Sequence, residues 1–207
     1  HGTGATARPR SAPGSCAAPG SPSPRRWTAT VFTNVKLPDG YARDELLSLD
    51  FVGRAQDLVF YGKTGRGKTH LATALGMSAI DRGMNVRFLP TAELVLQLGR
   101  AKREGTLETM LKDIAKADLI ILDEFGYVPF DVDGARLLYQ VIAGSYERRS
   151  IIFTTNIEFS KWGTIFADDK LAASIIDRIV HHGRLIEFTG QSHRISQALM
   201  FGKPQNQ

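Results

Sequence analysis

An α/β fold, with a parallel sheet covered by helices on both faces, follows from three observations. Five short, continuously apolar runs alternate with stretches of helical spacing along the chain, the pattern of strands buried on both sides. The first run, "LVFY" (58–61), opens into a glycine-rich basic loop, "GKTGRGKT" (62–69). The third, within "DLIILDEFG" (118–126), ends in two acids, at the carboxyl end of a strand, where an open parallel sheet places its ligand groups.

The elements follow in order. "LVFY" is a buried strand, and Lys68 to Asp81 has helical spacing (Leu71, Ala74, Leu75, Ala79) that stops at "DRG". "NVRFL" (85–89) reads as the second strand. Two polar, amphipathic helices are expected at 91–104 and 106–116, split at Gly105. After the acid-tipped strand come a helix over about 133–148, the strand "SIIFTTN" (150–156), a helix over about 168–181 and the strand "RLIEF" (184–188). The expected architecture is therefore a three-layer sandwich around a five-stranded parallel sheet.

Composition narrows the class. The chain has 207 residues, 43% of them hydrophobic, which is enough for one medium domain with a core and excludes wholesale disorder. No stretch approaches the roughly 18–20 consecutive apolar residues of a membrane span, so no membrane partner is expected. The single Cys16 cannot form an internal disulfide, which fits a reducing, cytoplasmic compartment. A net charge of +5 is a mild lean toward an anionic partner. Residues 1–26 contain no acid and are dominated by Gly, Pro, Ser and Ala, so they are expected to be a disordered tail. Residues 27–200 form the expected domain, and 201–207 a flexible terminus.

The loop matches G-x-x-x-x-G-K-[ST] in the strand–loop–helix setting that the motif requires. Backbone N–H groups, unobstructed at the glycines, can wrap nucleotide phosphates, and the following helix aims its positive end at the same charge. The expected ATP-binding set is Gly62, Lys63, Thr64, Gly65, Arg66, Gly67, Lys68, Thr69 and His70. Lys68 is expected to reach the β- and γ-phosphates, and Thr69 to offer its hydroxyl to Mg²⁺. Asp123 would complete the magnesium shell, and Glu124 would orient and deprotonate the attacking water.

Asp123-Glu124-Phe125-Gly126 also fits the D-x-x-G of a GTPase switch, but no N-K-x-D guanine-reading segment follows. Asn156, at the tip of the next strand, is placed to bridge water and γ-phosphate; an ordinary strand-end turn residue remains the alternative. Spacing alone assigns no role to Arg178 or Arg194. His181 and His182 are adjacent, so they do not share a helix face. No zinc is expected.

Five segments, "LPDGYARDELLSLDFV", "GRGKTHLATALG", "ADLIILDEFGYVPFDVDGARLLYQVI", "SYERRSIIFTTNIEFSKWGTIFADDKLAASIIDRIVHHG" and "GQSHRIS", together resemble IstB-type transposition helper ATPases. These are relatives of the DnaC helicase loader within the AAA+ superfamily of P-loop NTPases. The resemblance covers roughly residues 32–200. It implies an ATP-dependent, DNA-binding homo-oligomer with ATP at subunit interfaces, which selects double-stranded target DNA and activates a cognate transposase. It also implies that Asn156 is sensor 1, Arg178 an arginine finger acting on a neighbour's ATP, and Arg194 the sensor 2 arginine that completes the ATP site. Family members carry an N-terminal helical region where this chain has its low-complexity tail. Lys63 adds charge where the family loop is commonly neutral and small.

The helical pair between the second and third strands fits an insert that faces DNA in the family. Here it carries Arg100, Lys102, Arg103, Lys112 and Lys116, interspersed with Glu104, Glu108 and Asp113. If it holds DNA, it holds phosphates, with weak sequence selectivity. A helicase-loader adaptor that delivers a replicative helicase is the alternative, and the residues alone do not separate the two. A small-molecule kinase is disfavoured, because Glu124 supplies a water-activating base and such an enzyme leaves Asn156 and the basic insert without roles.

Overall fold

The computed structural model describes residues 32–166 and 169–190. The expectations for residues 1–26, for Arg194 and for residues 201–207 lie outside the described residues.

The strands are β1 (Val35–Lys36), β2 (Asp57–Tyr61), β3 (Val86–Pro90), β4 (Leu119–Asp123), β5 (Ser150–Thr155) and β6 (Gly183–Phe188). The helices are α1 (Arg43–Ser48), α2 (Asp50–Gly53), α3 (Lys68–Asp81), α4 (Thr91–Arg103), α5 (Leu107–Ile114), α6 (Val132–Ser145) and α7 (Asp169–His182), with a 3-10 helix at Phe159–Thr164. They form one sheet in the order β1-β6-β2-β5-β4-β3. Every strand pair in it is parallel except β1 with β6.

The sheet thus has six strands where the sequence predicts five. Val35 and Lys36 pair antiparallel with Phe188 and Glu187 at the sheet edge. Two residues are too few to show either an apolar run or an alternation, so this strand leaves no periodicity to read.

The apolar runs of β2, β4 and β5 are continuous because each of these strands feeds two cores. Leu58, Phe60, Leu119, Ile121 and Ile152 point to the face where Leu71, Ala72, Leu75 and Ala79 of α3 pack, with Leu46 and Phe51 beside them. Their neighbours Val59, Ile120, Leu122, Ile151 and Phe153 point the other way, onto Leu94 and Leu98 of α4, Leu138 and Ile142 of α6, and Ile175 and Ile179 of α7. Side chains alternate across a strand, so a run without polar residues is what two covered faces require. Among the described residues, no helix is long and apolar enough to cross a membrane.

This layering sets the chemistry. β2, β4 and β5 are adjacent to one another through β5, and the loops at their carboxyl ends converge. Those loops carry the glycine-rich motif, the paired acids and Asn156.

Candidate nucleotide-binding site

The loop leaves β2 at Gly62, whose amide donates to the carbonyl of Thr155 at the end of β5 (3.2 Å). A Cβ on Gly62 would lie 2.4 Å from the carbonyl oxygen of Phe188, so β6 presses too closely for any side chain. Lys63 and Thr64 are exposed, and Gly65 and Arg66 are half-buried. Arg66 reaches back to donate to the Phe188 carbonyl (3.1 Å), tying the loop to β6. Gly67 caps α3 with φ 92, a left-handed conformation that costs glycine little. The loop then turns directly into the helix, and Leu71 N–H closes its first turn on the Gly67 carbonyl (2.9 Å).

Lys68 is the first residue of α3 and is 9% exposed. Its ammonium donates to the carbonyls of Gly62 (2.5 Å) and Lys63 (3.0 Å), so the charge is folded into the concavity of the loop. A buried ammonium held by carbonyls is poised to exchange one for an anionic oxygen. His70, in the first turn of the helix, is exposed.

Asp123 ends β4, is 8% exposed, and accepts a hydrogen bond from the Thr69 hydroxyl on Oδ1 (2.9 Å). Both groups offer oxygen donors, the set a small hard cation takes. The pair therefore fits a magnesium ion.

The sequence reading missed Thr154. Its hydroxyl, on the neighbouring strand β5, donates to the same Oδ1 of Asp123, while it accepts the amide of Glu124 (3.0 Å). Thr91, at the start of α4, donates to the Asp123 main-chain carbonyl (2.7 Å). Threonine inside "SIIFTTN" is a common strand residue, and only the β4–β5 pairing discloses what its hydroxyl meets.

Glu124 is exposed and takes φ 55, a left-handed turn that is uncommon outside glycine. The turn is pinned on both sides. The Phe125 amide donates to the Thr154 carbonyl (2.8 Å), and the Phe125 ring is fully buried against Trp162 (4.7 Å between centroids) and Phe153 (5.1 Å). Truncating such a buried ring typically costs about 3–5 kcal/mol, so the turn is anchored firmly enough to hold a strained glutamate. Asn156, immediately after β5, is exposed beside the entry to the loop.

Lys68, Thr69, Asp123, Glu124 and Asn156 thus stand at the ends of three adjacent parallel strands. Arg178 is elsewhere. It is half-buried on α7, donates to the carbonyl of Ser174 (2.9 Å) and to its hydroxyl, and lies 5.2 Å from the ring centre of Tyr139 and 5.9 Å from that of Tyr146. These contacts are with its own helix, with α6 and with Tyr146, which caps α6.

The basic candidates on α4 and beyond are all exposed: Arg100, Lys102, Arg103, Lys112 and Lys116. Three are paired with acids, Lys102 with Asp133 (3.4 Å), Lys112 with Glu108 (2.7 Å) and Lys116 with Asp113 (3.4 Å). Exposed pairs of this kind are worth about 0–1 kcal/mol, so they are readily exchanged. A cleft between α5 and α6 brings Lys112 together with Arg148 and Arg149, which the sequence reading left out. Burial, and then the charge of Arg148, hold the Arg149 guanidinium below its usual pKa.

The sequence of residues 32–200 matches the family described as IstB-like ATP binding protein. Similar relatives include a protein named for ATP binding in insertion sequence IS232 of Bacillus thuringiensis subsp. berliner, 44% identical over 73% of this chain and 60% of its own length. The corresponding proteins of IS5376 in Geobacillus stearothermophilus (43% identity; 84% of this chain, 70% of that one) and of IS21 in Pseudomonas aeruginosa (41%; 74% and 58%) are comparable. The chain therefore spans about three fifths to seven tenths of the length of these relatives. Among solved structures, the DnaC helicase loader aligns with TM-score 0.61 at 23% identity over 80% of this chain and 99% of that one. DnaA bound to AMPPCP and single-stranded DNA aligns with TM-score 0.61 at 19% identity, over 71% and 45%. These two establish a P-loop AAA+ fold.

Proposed function

The chain belongs to the IstB-like ATP-binding family, and from that premise we propose that it is the ATP-hydrolysing, DNA-binding helper of an insertion sequence. The observation that carries the reading is the Thr69–Asp123 contact of 2.9 Å, which joins the phosphate loop to the acid-tipped strand where Glu124 follows.

In this reading the loop amides from Gly62 to Lys68 and the Lys68 ammonium bind the triphosphate, and Thr69 with Asp123 would hold Mg²⁺. The metal's chemistry is to neutralise charge on the β- and γ-oxygens when bound. Glu124 accepts the proton of the attacking water, and Asn156 orients that water against the γ-phosphate. Arg178 serves a neighbouring subunit's nucleotide, which makes ATP the link between subunits in a homo-oligomer. Double-stranded DNA is held through phosphates by Arg100, Lys102 and Arg103 and by the Lys112–Arg148–Arg149 cleft. The partner is the cognate transposase. A helicase-loader role draws only on likeness of fold to DnaC, whereas the relatives above 40% identity are named for insertion sequences, so the transposition reading is preferred.

The deciding experiment measures phosphate release from ATP by the purified chain, with and without duplex DNA. Release that requires Mg²⁺ and Glu124 and responds to DNA supports the assignment. A chain that binds ATP but releases no phosphate under any of these conditions overturns it.

A further inference from the structure

We propose that Glu147, His181 and His182 form a surface site for a divalent transition-metal cation of the zinc class, joining the end of α6 to the end of α7. Asp177 stands four residues before His181 in the sequence, but the acid whose ligand atom joins those of the two histidines is Glu147, brought in by the fold. Each of the three residues presents a ligand atom, and those atoms all lie within 4.8 Å of one another. Nε2 of His182 is 2.9 Å from Oε1 of Glu147. Ligands on a tetrahedral ion, at bond lengths of about 2.0–2.1 Å, stand about 3.3 Å apart. That pair is already near the required spacing. His181 and Glu147 are exposed and His182 is half-buried, so side-chain rotation is enough to close the remainder.

The surroundings hold the ligands in place. Tyr146 hydrogen-bonds Nδ1 of His181 through its hydroxyl (2.9 Å) and packs its ring edge-on against His182, with centroids 5.2 Å apart. Such outer contacts orient an imidazole ligand. Glu147 takes φ 55, a left-handed turn just past α6 that costs about 1–2 kcal/mol for a residue with a Cβ. His181 and His182 end α7, where the helix carries partial negative charge that favours a cation.

Two imidazoles and one carboxylate select the metal. Nitrogen-rich sets suit Zn²⁺, Ni²⁺ and Cu²⁺, whereas Mg²⁺ and Ca²⁺ prefer oxygen alone. Three protein ligands leave a fourth position for water or for a side chain from a partner. Gly183, directly after the histidines, pairs with Asp57 at the start of β2, and the phosphate loop follows the other end of that strand. The site is thus at the opposite end of the strands from the phosphate loop, although its Tyr146 also lies against Arg178.

The test is calorimetric titration of Zn²⁺ into the full chain after chelator treatment, without nucleotide, with Co²⁺ absorption as a second probe. One saturable equivalent is expected, with nitrogen and oxygen ligation in the cobalt spectrum. Loss of a group that merely orients a ligand costs about 10–100-fold in affinity, so Glu147→Gln and His182→Gln should each cost at least that. Glu147 is exposed and His182 half-buried, and circular dichroism verifies that the variants fold. Cys16→Ser should change nothing. Absence of saturable binding overturns the proposal. So does unchanged affinity in the Glu147→Gln, His182→Gln double variant, or loss of binding in Cys16→Ser with a thiolate band in the cobalt spectrum.

Discussion

Thr154 and Asp123 meet across adjacent strands, the hydroxyl of the first donating to Oδ1 of the second. The same hydroxyl accepts the amide of Glu124 (3.0 Å). One side chain therefore sets both the direction of the proposed magnesium ligand and the turn that presents the proposed base. Thr154→Val preserves shape and removes both bonds. ATP binding should stay within a few-fold, while hydrolysis falls by about 10–100-fold, as for a lost outer partner of a metal ligand, with a raised Mg²⁺ requirement. Thr154→Ser should restore both. If Val and Ser variants behave alike in phosphate release and Mg²⁺ titration, the hydroxyl has no positioning role.

Lys68 and Glu124 should separate binding from chemistry. Lys68→Ala removes the ammonium that sits within the loop and should abolish ATP binding. Glu124→Gln keeps the exposed turn and should bind ATP while hydrolysing it about 10²–10⁴-fold more slowly, the usual cost of a lost general base. Nucleotide titration and phosphate release read the two effects separately. Normal binding and turnover in both variants would remove the site assignment.

DNA affinity should fall steeply with salt, the logarithm of the binding constant dropping about 0.9 per phosphate contacted for each tenfold rise in salt. Neutralising Arg100, Lys102 and Arg103 together should flatten that slope, and so should neutralising Lys112, Arg148 and Arg149. The second set converges on one cleft and tests whether DNA reaches the α5–α6 side. A slope unchanged in both folded variants moves the DNA surface elsewhere.

Asp57 makes stability depend on pH. Its carboxyl is 6% exposed, accepts the Ile151 amide (2.7 Å), and is pushed up from 3.8 to about 7 by burial, which outweighs the opposing effects of that amide and of His182. Below about pH 4 folded and unfolded chains both hold the proton. Between 3.8 and about 7 only the folded chain keeps it, so this stabilisation is present at low pH and is lost as pH rises through about 7. Asp57→Asn retains the acceptor oxygen without the titration. The melting temperature of the native chain should fall by several degrees relative to Asp57→Asn between mildly acidic and mildly alkaline pH. Parallel curves would show that Asp57 titrates alike in both states.

Periodicity and motif spacing carried most of the fold because β2, β4 and β5 each feed two cores and show as apolar runs. The glycine-rich loop and the Asp123–Glu124 pair were legible because each is contiguous in the sequence. What escaped depends on pairing across the sheet or between helices. β1 is two residues long and exists only by its partner β6. Thr154 looks like any strand threonine until β4 lies beside it, and Glu147 is thirty-five residues from His182. Arg148 and Arg149 join Lys112 only once α5 and α6 enclose a cleft.

Arg178 distinguishes an assembling ATPase from a self-contained one. Its guanidinium rests on Tyr139 and Tyr146 and bonds to Ser174, contacts that lie on α6, on the residue that caps it and on α7, and not on its own phosphate loop. Both rings are half-buried, where a cation over an aromatic face gains about 0.5–2 kcal/mol, no more than the about 1.5–3 kcal/mol of a hydrogen bond to a charged group, so a neighbour's phosphate can draw it away. Arginine fingers are worth about 10³–10⁵ in rate. Arg178→Ala should therefore bind ATP nearly as well as the native chain yet hydrolyse it slower by a factor in that range. Mixing it with Lys68→Ala should restore part of the activity, because Lys68→Ala subunits present an intact Arg178 to neighbours that still bind ATP. Neither variant can do this alone. Native specific activity should also rise with protein concentration, since each site needs a second subunit. Full turnover in Arg178→Ala, or specific activity that stays flat on dilution to a monomer proven by sedimentation, would confine catalysis to one chain and leave the tyrosine-stacked arginine a structural clamp between α6 and α7.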